Sequence, residues 1–321
     1  MYTPSADADD IEDTVRSLSH GSRQWIRQHA GFLDSPSGRA ELPLTPRVKA
    51  LLQLALLCRC WAKADPRDPA LAETAAVVEH AYQSPDFPYR TALDPRYSRQ
   101  LQLMYGALAP AGVAVEARRA VLARLRSGGV LTVPPESPYM HLETRFFADM
   151  AGLDHSLGSY QDLYAASALA QAGETPAADL DSCNITLTVL YLSNFGLRDP
   201  GLAEPERRSA ARVLERLTDH CVRGGDWDAI GKLLLAQHSL GLDPLSTESG
   251  VAGLRLLARI QTPDGAIPGR SAAEQASPTS TPLQFFRLSY QSTLVTAMAM
   301  VVLTALRPAL TEPTAMLQEA R

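Results

Sequence analysis

Apolar residues recur along this 321-residue chain at the spacing of an α-helix, and alternating apolar–polar runs are nearly absent. That pattern leaves little room for a sheet and restricts the fold to helices packed on helices. The periodicity predicts helices near 11–29, 45–63, 69–82, 95–109, 114–127, 138–151, 158–172, 182–195, 204–222, 227–240, 247–260 and 286–306. Their ends carry the expected punctuation. Pro43 and Pro46 open one helix, Gly152 and Gly196 close two, and Ser246 is expected to cap another, with Glu248 facing the helix dipole. Apolar residues make up 45% of the chain but aromatics only 6%, the balance of a core built from Ala and Leu between helices.

The expected fold class is therefore all-α: antiparallel helix hairpins that close into a ring or stack as a solenoid. No fixed-period repeat is visible, which disfavours TPR, HEAT and armadillo arrays. The chain divides into an acidic leader over 1–14, expected to be disordered, an N-terminal helical half over 15–130, a C-terminal helical half over 131–310 that carries the candidate site, and a tail over 311–321. The longest break, Thr262 to Pro282, is rich in Pro, Ser and Gly, and a loop of that length is usually functional or disordered.

Charge and cysteine content remove several classes of function. A net charge of −5 with no basic block gives no footprint for nucleic acid. The N-terminus lacks the layout of a secretion signal. The apolar stretch Leu294 to Leu306 is short for a bilayer and is followed by Pro308, so no integral membrane segment is expected. Four cysteines are sparse, and Cys58 and Cys60 lie on different sides of one helix, which predicts reduced thiols and a cytoplasmic location. No Gly-x-Ser-x-Gly elbow, phosphate loop or dinucleotide fingerprint is present, and no cofactor or metal is expected.

Chemistry concentrates in Asp179-Leu-Asp-Ser-Cys-Asn184, directly before the apolar run Ile185 to Phe195. One reading is a helix cap, with Asp181 or Ser182 accepting first-turn amides. The other is a buried acid: Asp181 desolvated beside Asp179, keeping its proton at neutral pH and able to protonate an alkene or epoxide, with Asp179 and Ser182 as tuning partners. Asp226-Trp227-Asp228 opens a second apolar helix in the same manner. If the hairpins alternate, both acidic pairs start on one rim and, with His155, surround a cavity able to hold a cation or an amine. Trp227, Tyr191 and Tyr290 are candidate lining residues, and Glu143 a candidate substrate contact. Arg145 and Asp149 stand at i, i+4 as an ion pair.

These segments resemble known families. Asp179-Leu-Asp-Ser-Cys with Thr188-Val-Leu-Tyr-Leu-Ser-Asn-Phe-Gly196 is similar to the Asp-x-Asp-Asp-Thr-Ala motif and following helix of class II terpenoid cyclases, which implies that Asp181 is the proton donor; Ser182 stands where that motif has its last Asp. Leu256-Leu-Ala-Arg-Ile-Gln-Thr-Pro-Asp-Gly265 resembles the Gln-x-x-Asp-Gly turn of the α/α-toroid superfamily, with Gln261 bonding the turn and Gly265 at positive φ, which implies an all-α fold of antiparallel helix hairpins closed into an α/α-toroid or an incomplete helical ring. A longer stretch resembles an uncharacterised all-helical actinobacterial family associated with natural-product gene clusters. It is carried by His141 to His155, Leu190 to Gly196, Gly225 to Gly231 and Tyr290 to Val295. Lys232, Asn194 and Gln291 stand where that family has Glu, an acidic residue and His.

The resulting expectation is a tailoring enzyme of specialised metabolism. It would act on a hydrophobic small molecule or peptide in a helical-ring cavity by acid-initiated cyclisation or isomerisation. The alternatives are a non-catalytic binding or scaffold protein of a biosynthetic pathway and, third, a metal-dependent hydrolase or transferase. The sequence leaves the oligomeric state open.

Overall fold

The computed structural model describes residues 6–128, 137–270 and 281–305, and every regular element among them is helical. In chain order the helices are α1 (Ala6–His29), α2 (Pro36–Glu41), α3 (Leu44–Ala64), α4 (Pro69–Gln83), α5 (Phe87–Arg90), α6 (Ser98–Leu108), α7 (Val115–Ser127), α8 (Pro138–Ala151), α9 (Tyr160–Ala165), α10 (Ala168–Gln171), α11 (Ser182–Leu192), α12 (Glu204–Gly224), α13 (Ile230–Ser239), α14 (Glu248–Ile260) and α15 (Pro282–Ala305). All twelve helical periodicities are matched, with the segment near 158–172 split into α9 and α10.

Helix α12 shows why such segments fold as they do. Ala210, Val213, Leu214, Leu217 and Cys221 recur three to four residues apart and are buried, while its arginines and glutamates cover the other side. The Glu206 carboxylate accepts the Ala203 N–H at 3.0 Å at one end, and Gly225 closes the other in the left-handed region. Each large apolar side chain so buried contributes ~1.5–3 kcal/mol. Helix α15 follows a different rule. Its first half exposes Gln284, Arg287 and Gln291, but its second half is apolar nearly all round, and from Leu294 to Leu303 only Val295 is less than fully buried.

Packing runs from one helix to the next. Helix α15 lies against α1, α3 and α13; α3 packs on α4 and α6; α6 on α7 and α8; α8 on α9 and α11; α11 on α10 and α13; α13 on α12 and α14; and α14 on α1. Helix α15 thus binds both expected halves of the chain. A buried polar link fixes three of these helices. Gln237 donates to Thr218 Oγ1 at 2.8 Å and to Ser249 Oγ at 3.3 Å, tying α13 to α12 and α14.

Several expectations change. The acidic leader is not disordered from Ala6 onward: α1 begins there, and Ile11 and Val15 are buried because the polar residues lie on the helix's outer side. Helix α14 is capped by Thr247, whose hydroxyl accepts the Gly250 N–H, while Ser246 donates to Asp243. By length and composition α15 is long enough to cross a membrane, yet 72% of its most apolar window is buried inside the protein. Residues 271–280 of the long loop and the 311–321 tail lie outside the described residues.

Candidate functional site

Asp181 is not a buried acid. It is exposed, and its Oδ1 accepts the Cys183 N–H at 2.9 Å and the Asn184 N–H at 3.1 Å. The helix explains this: the first amides of α11 have no intrahelical acceptor, and an extended N-cap aspartate supplies one. Asp179 is also exposed, at the end of the short 3-10 turn Ala177–Asp179, and Ser182 is the first residue of α11. Neither tunes a desolvated acid. Asp181→Ala should therefore cost only the cap, about 1 kcal/mol, and urea melts should show a correspondingly small shift.

His155 stands away from those carboxylates. Its Nε2 contacts Asp149 Oδ1 at 2.9 Å, and Tyr160 donates to the other Asp149 oxygen at 2.8 Å. The Tyr160 ring lies under the guanidinium groups of Arg145 and Arg198, 4.6 and 4.7 Å from its centroid. Arg145 also pairs with Asp149 at 3.5 Å, as the i, i+4 spacing predicts. This cluster pins the segment after α8 at that helix's C-terminal end, whereas Asp181 precedes the N-terminus of α11, so His155 joins no site with it.

The second acidic segment is also spent on structure. Asp228 accepts the Ser292 hydroxyl at 2.8 Å and the Arg270 N–H at 3.1 Å, holding residue 270 against α15. Trp227 donates its indole N–H to the Pro268 carbonyl at 2.7 Å. Asp226 lies beside the Cys221 thiol, which burial first and this carboxylate second push up to about 11. Tyr290 is buried and donates to the Ala50 carbonyl at 2.9 Å, so it bonds α15 to α3 and offers no group to a substrate. Among the described residues, no three His, Cys, Asp or Glu side chains converge in a geometry for a metal ion.

Two residues named from the sequence do meet. Tyr191 in α11 donates its hydroxyl to Glu143 Oε1 in α8 at 2.8 Å. Burial raises the Glu143 carboxyl above its usual range, against the opposing effects of the Tyr191 hydrogen bond and the Lys49 ammonium. Tyr191 is held well above the usual phenol range by its own burial and by Glu143. Phe146, Phe147 and Phe195 pack around the Tyr191 ring with centroids 5.3–6.0 Å away and keep water from its base. Further along the same helix starts, Lys232 Nζ in α13 reaches Cys183 Sγ in α11 at 3.8 Å. Tyr139, in the first turn of α8, feels Glu143, Cys183 and Asp181 together. One patch thus holds Tyr139, Cys183 and Lys232 from the starts of α8, α11 and α13, together with the half-buried Glu143 carboxyl and the Tyr191 hydroxyl, which comes from near the end of α11.

Lys49 and Tyr139 gave no sequence signal, because each occupies an ordinary helical position. Lys232 stood out only by its departure from a resembled family. Two open surface grooves lie elsewhere. One of about 560 Å³ runs between α1 and α14 past Thr14, Arg255 and Arg259, and one of about 270 Å³ runs along α7 past Arg118 and Leu122. Neither includes a residue singled out from the sequence.

The described residues thus form an all-helical protein with an acid–phenol pair set between two helices. Residues 19–301 match the family described as "Domain of unknown function (DUF6895)", and the chain belongs to that family. No curated protein and no solved structure matches the chain.

Proposed function

We propose that the helices form an α/α-toroid and that the chain is an acid–base enzyme whose acid is Glu143. The order of packing supports the ring. Each of α3, α6, α8, α11, α13 and α15 touches the next, and α15 returns to α3, while α1, α4, α7, α9, α10, α12 and α14 pack outside that circuit. In such a ring the inner helices run in one direction. The contacts of α8 with α11 agree, because Tyr139 meets the start of α11 while Phe146 meets its end. The electrostatic reach of Lys49 in α3 to Glu143 in α8, with α6 between those helices, fits two side chains directed at a common mouth.

The observation that carries the reading is the desolvated Glu143 carboxyl bonded to Tyr191. A carboxylic acid with a raised pKa can deliver a proton to an alkene, epoxide or carbonyl oxygen of a bound molecule. The carboxylate left behind is stabilised by the Tyr191 hydroxyl and by the Lys49 charge. The aromatic residues beneath suit an apolar substrate body. Tailoring of a specialised metabolite by cyclisation or isomerisation is the reaction class that such an acid and the sequence resemblances support together.

Glu143→Gln tests the assignment without a known substrate. A folded-state pKa above the ordinary value, near 4.5, contributes stability that is fully present below that value and is lost as pH rises through the folded one. Glutamine has no such loss. The variant should therefore lie nearest to wild type below about pH 4.5 and gain on it progressively as pH rises through the raised folded-state value. A stability difference independent of pH means that Glu143 titrates as an ordinary carboxylate, and the acid assignment fails.

A further inference from the structure

A buried guanidinium with no carboxylate at ion-pair distance among the described residues lies at the start of α3. Arg47 is only 6% exposed. Among the described residues its one side-chain hydrogen bond is a long one, from Nη1 to the Leu33 carbonyl at 3.4 Å, and its Nε is enclosed with no acceptor. Two further arginines, Arg39 and Arg90, are close enough to repel it, and both depress its pKa together with burial. Asp34 attracts Arg47 less than burial and the two arginines oppose it, and it also accepts from Arg39 at 2.8 Å and contacts His80. Arg90 pairs with Asp86 at 3.5 Å through a carboxylate that is itself 70% exposed.

The position compounds the imbalance. Arg47 occupies the first turn of a 21-residue helix, at the positive end of its dipole, where a cation is disfavoured. That turn contains no acidic residue, and the N-cap Pro43 offers no side-chain acceptor. Burial, two like charges and the dipole all oppose Arg47, and the protein supplies almost nothing to offset them. A buried charge this poorly compensated marks a place where an external group completes the balance. Arg39 and Arg90, partly exposed, leave the cluster open to such a group.

We infer that Arg39, Arg47 and Arg90 form a binding site for a phosphate-bearing ligand, separate from the Glu143 patch and independent of its function. Guanidinium groups match phosphate oxygens in bidentate geometry, and α3 adds its N-terminal dipole. The arginines recognise the phosphate group itself, whether it belongs to a soluble phosphoester or to a lipid headgroup.

The test is thermal melting of the full chain in inorganic phosphate and in chloride at matched ionic strength. Phosphate should raise Tm saturably, by about 3 °C beyond chloride. Arg47→Met should melt higher than wild type in chloride, because it removes an uncompensated charge, and should lose the phosphate response. Arg90→Gln, at a more exposed position, should fold normally and weaken the response several-fold. Adenosine monophosphate and vesicles of phosphatidylglycerol separate the two sources. A response to the nucleotide tighter than to phosphate assigns a soluble phosphoester, and co-sedimentation with vesicles lost in Arg90→Gln assigns a headgroup. Equal melting in phosphate and chloride, or an undiminished response in both variants, overturns the site.

Discussion

Ala299→Asp is expected to leave the protein without a cooperative fold at room temperature. Ala299 is fully buried in α15, among neighbours that are themselves fully buried. A carboxylate there has no cation within the helix's apolar surroundings, and an uncompensated buried charge costs at least 3–5 kcal/mol. The added volume strains a close-packed interior by roughly 1–3 kcal/mol more. The sum is comparable with the whole stability of a typical domain, about 5–15 kcal/mol. Ala305→Asp, at the exposed end of the same helix, should change stability by no more than about 0.5 kcal/mol. Far-ultraviolet circular dichroism and melting of the two variants make the comparison. If Ala299→Asp melted within a few degrees of wild type, α15 would not be enclosed by α1, α3 and α13.

The second large effect belongs to Gly265→Ala. Gly265 has φ +95°, outside the range that L-residues adopt without strain. A Cβ at this position would fall 2.2 Å from the Gly21 carbonyl oxygen of α1, a backbone atom with no rotamer to escape into. The turn cannot retreat easily. Gln261 is bonded to the Leu18 and Gly265 carbonyls at 3.3 and 3.2 Å, and the following Ala266 and Ile267 are fully buried. Conformational strain and overpacking together should cost roughly 3 kcal/mol. Chemical denaturation should show a lower midpoint with an unchanged m-value. Gly152→Ala gives the contrast, because its φ is positive but a Cβ there would meet nothing within 4 Å, so the loss should be about 1 kcal/mol.

Much of the helical architecture was legible because its cause is local. Period, caps and stops are written within each segment, and α3, α8, α12 and α14 fall within two residues of the spans their patterns predict. The Gln261 to Gly265 turn was also legible, since only glycine tolerates its backbone angle. The site was not. Asp181 stood in a segment that reads first as a cap and second as an acid, and what separates them is exposure, a property of how α11 sits among its neighbours. Glu143 and Tyr191 are 48 residues apart, and nothing local announces their contact. Asp228 misled in the opposite direction. Its position suggested a cap for α13, but its partners are Arg270 and Ser292, supplied by segments far along the chain.

The most extensive helix contact in the structure joins α1, the first helix described, to α15, the last. Contacts of such long sequence separation form late and slow folding. During synthesis α1 can dock early on α4, but the side on which Trp25 stacks against Phe286 stays uncovered until α15 has been made. Over that interval the nascent chain exposes this apolar strip of α1, a natural client for a holding chaperone.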